Sequence, residues 1–336
     1  MILIITSKRD GHIEAVTRHL DQAGVPWTRV NTEDFATNVE IELHPGTGCG
    51  TLFMKDSKRE VRLDEVGAVW YRKPDPVAMQ HFDIGDPAAL DYVEAEFNEI
   101  LFGLYALLDN AYWINNPFRT RIAHRKLLQL KTAAHVGFSI PHTFVTNRFG
   151  SALAFAGHLE GHIAIKSLGA ISVMREQAGM VLQYGIFTRR IEVKDVIEHC
   201  DKIGHMPTLF QEFIEKESEL RITCVGNEVF ACEIRARPED VTHDDYRFDT
   251  PNLPHRAVNC PDLTGRMQAY MQALGLNFGC FDFIVRKGEE PIFLEMNCNG
   301  QWFWVQEKTG QDIGKAIAEN LIRRSRVDSE PALEGV

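Results

Sequence analysis

The chain has 336 residues, 44% of them hydrophobic and 25% charged, a composition typical of folded globular proteins that excludes disordered, collagen-like and disulfide-scaffold classes. Lys and Arg number 36 against 47 Asp and Glu, a formal charge of −11, so the summed field repels phosphate backbones and argues against a nucleic-acid partner. The longest apolar runs fall far short of the roughly 20 residues that span a bilayer. The 7 cysteines are scattered with no C-x-x-C pair, which reads as reduced thiols in a cytoplasmic protein.

At roughly 150 residues per domain, the length predicts two or three domains. The N-terminal stretch reads strand, helix, strand: residues 2–6 are apolar, 13–23 have helical spacing, and 27–30 are extended after Pro26. Gly46-Thr-Gly-Cys-Gly50 lies between two extended stretches and opens no helix, so it reads as a turn rather than a phosphate loop. A strand at 66–71 and an amphipathic helix over 91–108 complete a small α/β unit, 1–116. Asn115-Asn-Pro117 is turn chemistry, and one helix over 120–136 should stop at Gly137 before Pro141. A central unit, 117–208, should carry strands at 144–146, 163–166 and 180–188 and a helix at 193–200. A C-terminal unit, 209–325, reads as strands over 208–214, 219–225 and 228–236, a helix over 263–274, two strands and a helix at 313–323, before a tail at 326–336 that should fray. The fold class is mixed α/β (α+β).

The chemistry concentrates in Phe281-Asp-Phe-Ile-Val285 and Pro291-Ile-Phe-Leu-Glu-Met-Asn297. Alternate residues of a strand share a face, so Asp282 points away from Phe281 and Phe283, while Glu295 and Asn297 point away from Ile292, Leu294 and Met296. Pairing the two strands brings two carboxylates and an amide oxygen onto one surface, hard donors that suit Mg²⁺. The same spacing also fits an ordinary half-exposed hairpin. Two further features stand out. Ile163-Ala-Ile-Lys166 is an apolar strand ending in a lysine, and Arg235, Arg237 and Arg247 make one stretch basic within an acidic chain. Guanidinium forks bind carboxylates bidentately, so an acidic substrate is a natural target; Arg235 is the stronger candidate, and surface charge accounts for Arg237. The histidines, His142, His158 and His162 among them, lack a metal-ligand spacing.

Asp282, Glu295 and Asn297, with the following Asn299-Gly300, resemble the metal-binding end of ATP-grasp ligases, which have a three-domain fold whose N-terminal member is an α/β pre-ATP-grasp domain. The resemblance implies ATP and Mg²⁺ as cofactors, with Asp282, Glu295 and Asn297 holding the metal. It further implies Lys126 and Lys166 on the nucleotide, Gln211, Glu212, Phe213 and Ile214 as the adenine-reading hinge, Glu219 on the ribose, and Arg221, Arg235 and Lys166 stabilising transferred charge. Ala68-Val-Trp-Tyr-Arg-Lys-Pro74, Lys126-Leu-Leu-Gln-Leu130, Gln211-Glu-Phe-Ile-Glu-Lys216, Asp244-Asp-Tyr-Arg247 and Gly300-Gln-Trp302 resemble, more narrowly, the graspetide (microviridin-type) ribosomal peptide maturases, relatives of the ligases that add glutamate to ribosomal protein tails. Tyr246 and Lys73 depart from that family's usual Trp and second Arg. The resemblance implies a cytoplasmic, homodimeric maturase that activates Asp or Glu carboxylates of a ribosomal precursor peptide and closes ester or amide rings. It places Arg247 at the substrate, a lid over 167–179, and a leader-docking surface on the strand at 180–188 and the helix bearing Glu192, Asp195 and Glu198, a helix that equally reads as a solvated face. The alternatives are a ligase that appends an amino acid to a peptide or small acid, and a nucleotide sensor without turnover.

Overall fold

The computed structural model describes residues 1–159, 162–169, 172–177, 180–185, 188–235 and 249–327. The chain opens with β1 (Ile2–Thr6), α1 (Ile13–Gln22) and β2 (Trp27–Asn31), followed by an antiparallel meander of β3 (Val39–His44), β4 (Cys49–Met54) and β5 (Arg59–Arg62), whose first turn is the glycine-rich segment. Then come β6 (Ala68–Tyr71), α2 (Pro87–Leu107) and β7 (Tyr112–Ile114), and the parallel sheet has the order β2-β1-β6-β7. β1 is apolar without alternation because both faces of this sheet are covered. Ile2 and Ile4 pack with Val16 and Leu20 of α1, while Leu3 and Ile5 pack with Leu101, Leu104 and Tyr105 of α2.

Two helices replace the single one expected over 120–136: α3 (Pro117–Ala123) and α4 (Lys126–His135). Asn116 caps α3 through Oδ1, which accepts from the N–H groups of Phe118 (3.0 Å) and Arg119 (3.4 Å), and Pro117 occupies the first helical position. The break is stabilised by Gln129, whose Nε2 donates to the carbonyl of Ala123 at 2.7 Å.

The central sheet is antiparallel, in the order β12 (Arg189–Ile191), β9 (Ile163–Lys166), β13 (Thr208–Glu212), β8 (Thr143–Thr146). Helices α5 (Phe149–His158), α6 (Val193–Glu198) and α7 (Cys200–His205) complete the unit, and a small core gathers Ala152, Ala156, Ile163, Val196, Ile203 and Phe210. Three expectations change here. β13 is hydrogen-bonded on both edges inside this sheet, so the division at 208/209 falls at the start of a central strand. The expected lid stretch contains β10 (Ser172–Gln177), paired with β11 (Met180–Gly185), which is described to residue 185 of the strand expected over 180–188; the rest of the lid lies partly outside the described residues. α5 has no counterpart among the expected elements, because Gly150 and Gly157 dilute its helical signal.

The C-terminal sheet contains β14 (Ser218–Val225), β15 (Glu228–Ile234), β16 (His255–Val258), β17 (Phe278–Val285) and β18 (Ile292–Asn297) in the order β16-β15-β14-β17-β18. One face packs on α8 (Pro261–Leu274) and α4 around Phe138, Phe281, Phe283 and Phe293. Part of the other face joins Phe278 and Cys280 to Trp302, Val305 of α9 (Phe303–Thr309) and the last helix, α10 (Ile313–Val327). α10, expected with the C-terminal unit, closes the N-terminal sheet through Ile313, Ile317 and Leu321, so closely that a Cβ at Gly314 would collide with the carbonyl of Ala15. Among the described residues no helix is long and apolar enough to cross a membrane.

Candidate active site

Three strands build the site by register. Arg221 of β14 stands opposite Asp282 of β17, Asp282 stands opposite Glu295 of β18, and Cys280 stands opposite Asn297. Asp282, Glu295 and Asn297 therefore share one face, as alternation requires. The expected grouping of Ile292 and Leu294 with Met296 does not hold. The register shifts between Asp282 and Phe283, so that Phe293 pairs with Phe283 and Ile292 with Ile284. This bulge turns Ile292 towards Ile214 and Ile284 on the side of Glu295, with Leu294 packed against them, while Phe293 and Met296 stay in the aromatic core. Bulges of this kind re-aim side chains beside active sites.

The charges are paired in place. The guanidinium of Arg221, 5% exposed, donates from Nη1 to both oxygens of Asp282 (3.0 and 2.8 Å) and from Nη2 to the carbonyl of Gln301 at 2.9 Å. Gly300 is needed beside it: a Cβ there would lie 2.5 Å from Cys280 Cβ and 2.8 Å from Arg221 Nη2. Glu295 Oε2 is 3.3 Å from Nζ of Lys126, which the break between α3 and α4 sets at the start of α4. Gln129, one turn on, accepts from the N–H of Met296 (3.1 Å) and donates to its carbonyl (2.8 Å), fixing the edge of β18. Two carboxylates and a carboxamide on one face form a hard oxygen donor set that fits Mg²⁺. Among the described residues no group of three or more His, Cys, Asp or Glu could hold a metal, so the fit depends on the Asn297 amide as third donor.

The central sheet supplies the opposite side. Lys166 ends β9, half-buried, opposite Leu209 of β13. β13 leads into the hinge, where the Gln211 amide donates to Thr143 Oγ1 (2.8 Å), Glu212 Oε2 accepts from the N–H of His142 (3.3 Å), and the N–H of Phe213 donates to the carbonyl of His162 (3.2 Å). A cavity of about 260 Å³ opens there, lined by Pro141, His142, Glu212, Ile214 and Ile292 among others. Glu219 is buried with its carboxylate on Lys216 Nζ at 2.6 Å.

Arg235 and the acidic residues around α6 do not join this group. Arg235 follows β15 at the surface, 3.6 Å from Glu233, a carboxylate that also takes Arg256 at 2.7 Å. Arg237 and Arg247 lie outside the described residues. Glu192 and Glu198 are exposed and Asp195 half-buried around α6, where Asp195 Oδ2 accepts from the Glu192 N–H at 2.7 Å and Glu192 pairs with Lys194 at 2.9 Å, so two of the three stabilise the helix itself.

Three polar residues without an assigned role in the sequence reading turn out to frame the site: Gln129, Asn115 and Arg72. Asn115 accepts from the N–H groups of Asn277 (2.7 Å) and Phe278 (3.0 Å) and donates to the carbonyls of Phe278 (2.7 Å) and Cys298 (2.9 Å), tying the ends of β17 and β18 to β7. Their signal in the sequence is weak: Gln129 is a lone polar residue within an apolar stretch, Asn115 reads as part of a turn, and Arg72 sits beside Lys73 as an ordinary charged pair.

This architecture is that of an ATP-grasp ligase with a pre-ATP-grasp domain. Residues 1–121 match the family model of the MvdD pre-ATP grasp domain. The chain is similar over nearly its whole length to peptide-modifying ATP-grasp enzymes. It is 28% identical to the RiPP-associated ATP-grasp ligase of Chryseobacterium gregarium in complex with ADP and a leader and core peptide, covering 98% of this chain and 97% of that one with a TM-score of 0.85. It is also 28% identical to the macrocyclase MdnC bound with precursor peptide MdnA from Microcystis aeruginosa MRC, covering 96% and 99% with a TM-score of 0.82. Against the macrocyclase MdnB of the same organism the identity is 25%, the coverage 96% and 98%, and the TM-score 0.77. No curated protein matches the sequence.

Proposed function

We propose that this chain is an ATP-dependent maturase of a ribosomally made peptide, which activates Asp or Glu side chains as acyl phosphates and closes ester or amide rings. The observation that carries the reading is the ladder Arg221–Asp282–Glu295, three charged residues in register on adjacent strands with Lys126 against the last. The face runs from these polar residues to an apolar wall of Ile214, Ile284 and Ile292, an arrangement suited to phosphates at one end and a purine at the other. Gln211, Glu212, Phe213 and Ile214 would read the purine edge, and Glu219 would take the ribose. Mg²⁺ held by Asp282, Glu295 and Asn297 would supply charge neutralisation to the phosphates. Arg221, Lys166 and Lys126 would spread the transferred charge over fixed cations. The peptide carboxylate attacks the terminal phosphate of ATP, ADP leaves, and a hydroxyl or amine of the same peptide then displaces phosphate to form the ester or amide.

The whole-chain likeness to enzymes solved with peptides supports a peptide as substrate. The free thiols of Cys49, Cys224, Cys232, Cys260, Cys280 and Cys298 are consistent with a cytoplasmic setting. We take the functional form to be a homodimer, and its three functional units to be near 1–116, 117–208 and 209–325 with β13 counted in the second. The test is mass spectrometry of candidate precursors incubated with the purified chain, ATP and Mg²⁺. A peptide that loses the mass of water while ADP forms supports a macrocyclase, and one that gains the mass of an amino acid makes the chain an appending ligase. Binding of ADP with no turnover of any acidic peptide would make it a sensor.

A further inference from the structure

Arg72 is one of the largest fully buried side chains in the described structure, 2% exposed, yet it belongs to the N-terminal unit and follows directly on β6. Its Nη1 donates to the carbonyl of Asn299 at 2.7 Å and its Nη2 to Gln301 Oε1 at 3.2 Å, so one guanidinium grips both ends of the 299–301 turn. Behind it, Nε is 3.6 Å from Asp10 Oδ2 and Nη2 is 3.2 Å from His12 Nε2. His12 Nδ1 lies 2.8 Å from Asp10 Oδ1. Arg72 Nη2 is also 3.3 Å from His12 Nδ1, so the guanidinium lies against the imidazole ring as a whole, and with the ring proton on the Nδ1 that faces Asp10 the imidazole opposes the cation without a charge of its own. Burial raises the Asp10 carboxyl, but the His12 hydrogen bond and Arg72 outweigh it and bring it down to about 2; burial also holds His12 below its ordinary value. The support is therefore a carboxylate and a neutral imidazole, a matched setting for one buried cation.

The turn that Arg72 grips from one side is gripped from the other by Arg221, whose Nη2 donates to the carbonyl of Gln301. Gly300 between the two anchors leaves no slack against Cys280. A buried charged network costs desolvation, and an apolar contact would close the two units at least as well, so cohesion alone does not account for it.

We propose that Arg72 is a positioning residue for phosphoryl transfer: it holds the 299–301 turn against the N-terminal sheet and, through the Gln301 carbonyl, fixes the Arg221 guanidinium on Asp282. This rests on the ligase reading above. It makes the N-terminal unit part of the catalytic geometry.

The test uses the full chain, slow MgATP hydrolysis as the rate, calorimetric binding of MgADP, and melting temperature, for Arg72→Met, Arg72→Lys, Arg221→Lys and the double variant Arg72→Met/Arg221→Lys. Supporting residues of this kind are worth about 10–100-fold, so Arg72→Met should lower kcat by that factor while the MgADP Kd changes less than about 3-fold. Arg72→Lys, which keeps the charge and loses the fork, should recover the fold and only part of the rate; it carries the test if Arg72→Met does not fold. In the Arg221→Lys background the Arg72→Met change should cost less than about 3-fold, because its route to the phosphates is already broken. Losses that multiply in full, or a loss confined to melting temperature, would overturn the role of Arg72 and leave the ligase reading standing. A wild-type chain that binds no MgADP overturns both.

Discussion

The two sheets that face each other across the proposed nucleotide site hold their charged residues in different ways. In the C-terminal sheet the key charges are paired in place, Arg221 buried on Asp282 of the neighbouring strand and half-buried Glu295 on Lys126 at the start of α4, over a broad aromatic core in which Phe138 stacks on Phe293 at 5.7 Å and 5°. In the central sheet Lys166 sits half-buried at a strand end, over a core of a few aliphatic side chains and Phe210. Groups that must be in place at the transition state benefit from a rigid support. A sheet with little core can move around a ligand at low cost. In the proposed function the first sheet would hold the metal and phosphates on a fixed support, and the second would grip the nucleotide with Lys166 reaching its phosphates.

The largest expected effect is that of Asp282→Ala. It should abolish turnover and, by leaving Arg221 buried without its carboxylate, cost about 3–5 kcal/mol of stability; urea unfolding and ADP release measure the two, and an unaltered unfolding midpoint would break the first half of the comparison. Next is the core. Phe293→Ala should cost about 3–5 kcal/mol and lower the main unfolding transition. Ile203→Ala in the central unit should cost about 2–5 kcal/mol but act locally, visible in hydrogen exchange of β8, β9 and β13 before the rest of the chain opens. A central unit that exchanges only with global unfolding would remove the distinction. Third, Lys166→Met should raise the KM for ATP and lower kcat with little change in melting temperature, since its side chain is half-exposed. The smallest effect is at the edge of the central unit: Asp195→Ala removes the side chain that accepts from the Glu192 N–H at the start of α6 and should cost about 0.5–2 kcal/mol, read as faster exchange in α6 alone.

A pH experiment separates the N-terminal support from both sheets. The carboxyl of Asp10 is lowered to about 2 from 3.8, so its ionised form contributes stability at neutral pH that is lost as pH falls through that window. Asp10→Asn should therefore flatten the drop in the urea midpoint between about pH 4 and pH 2 relative to wild type, and an unchanged acid limb would refute the pairing with His12 and Arg72.

The sequence by itself determined the elements whose signal is local. Buried β1, the glycine-rich turn, the turn chemistry at Asn115-Asn-Pro117, and the shared face of Asp282, Glu295 and Asn297 all follow from periodicity and turn signals within a few residues. Lys166 at a strand end and Lys126 in a helix after the first unit were legible for the same reason. What local pattern cannot encode is a relation between distant segments. The bulge that turns Ile292 to the site depends on how β18 pairs with β17, and the break before Lys126 on where Gln129 finds the carbonyl of Ala123. The placement of β13 in the central sheet and of α10 on the N-terminal one is decided by partners far along the chain. Arg235 illustrates the converse: its sequence context marked it as a candidate, but the end of β15 leaves it at the surface on Glu233. Arg72 is the plainest case, because nothing adjacent to it in sequence indicates that a guanidinium there will be buried. Only the folded chain brings Asp10 and His12 behind it and the 299–301 turn before it, where hydrogen bonds offset the cost of taking its charge out of water.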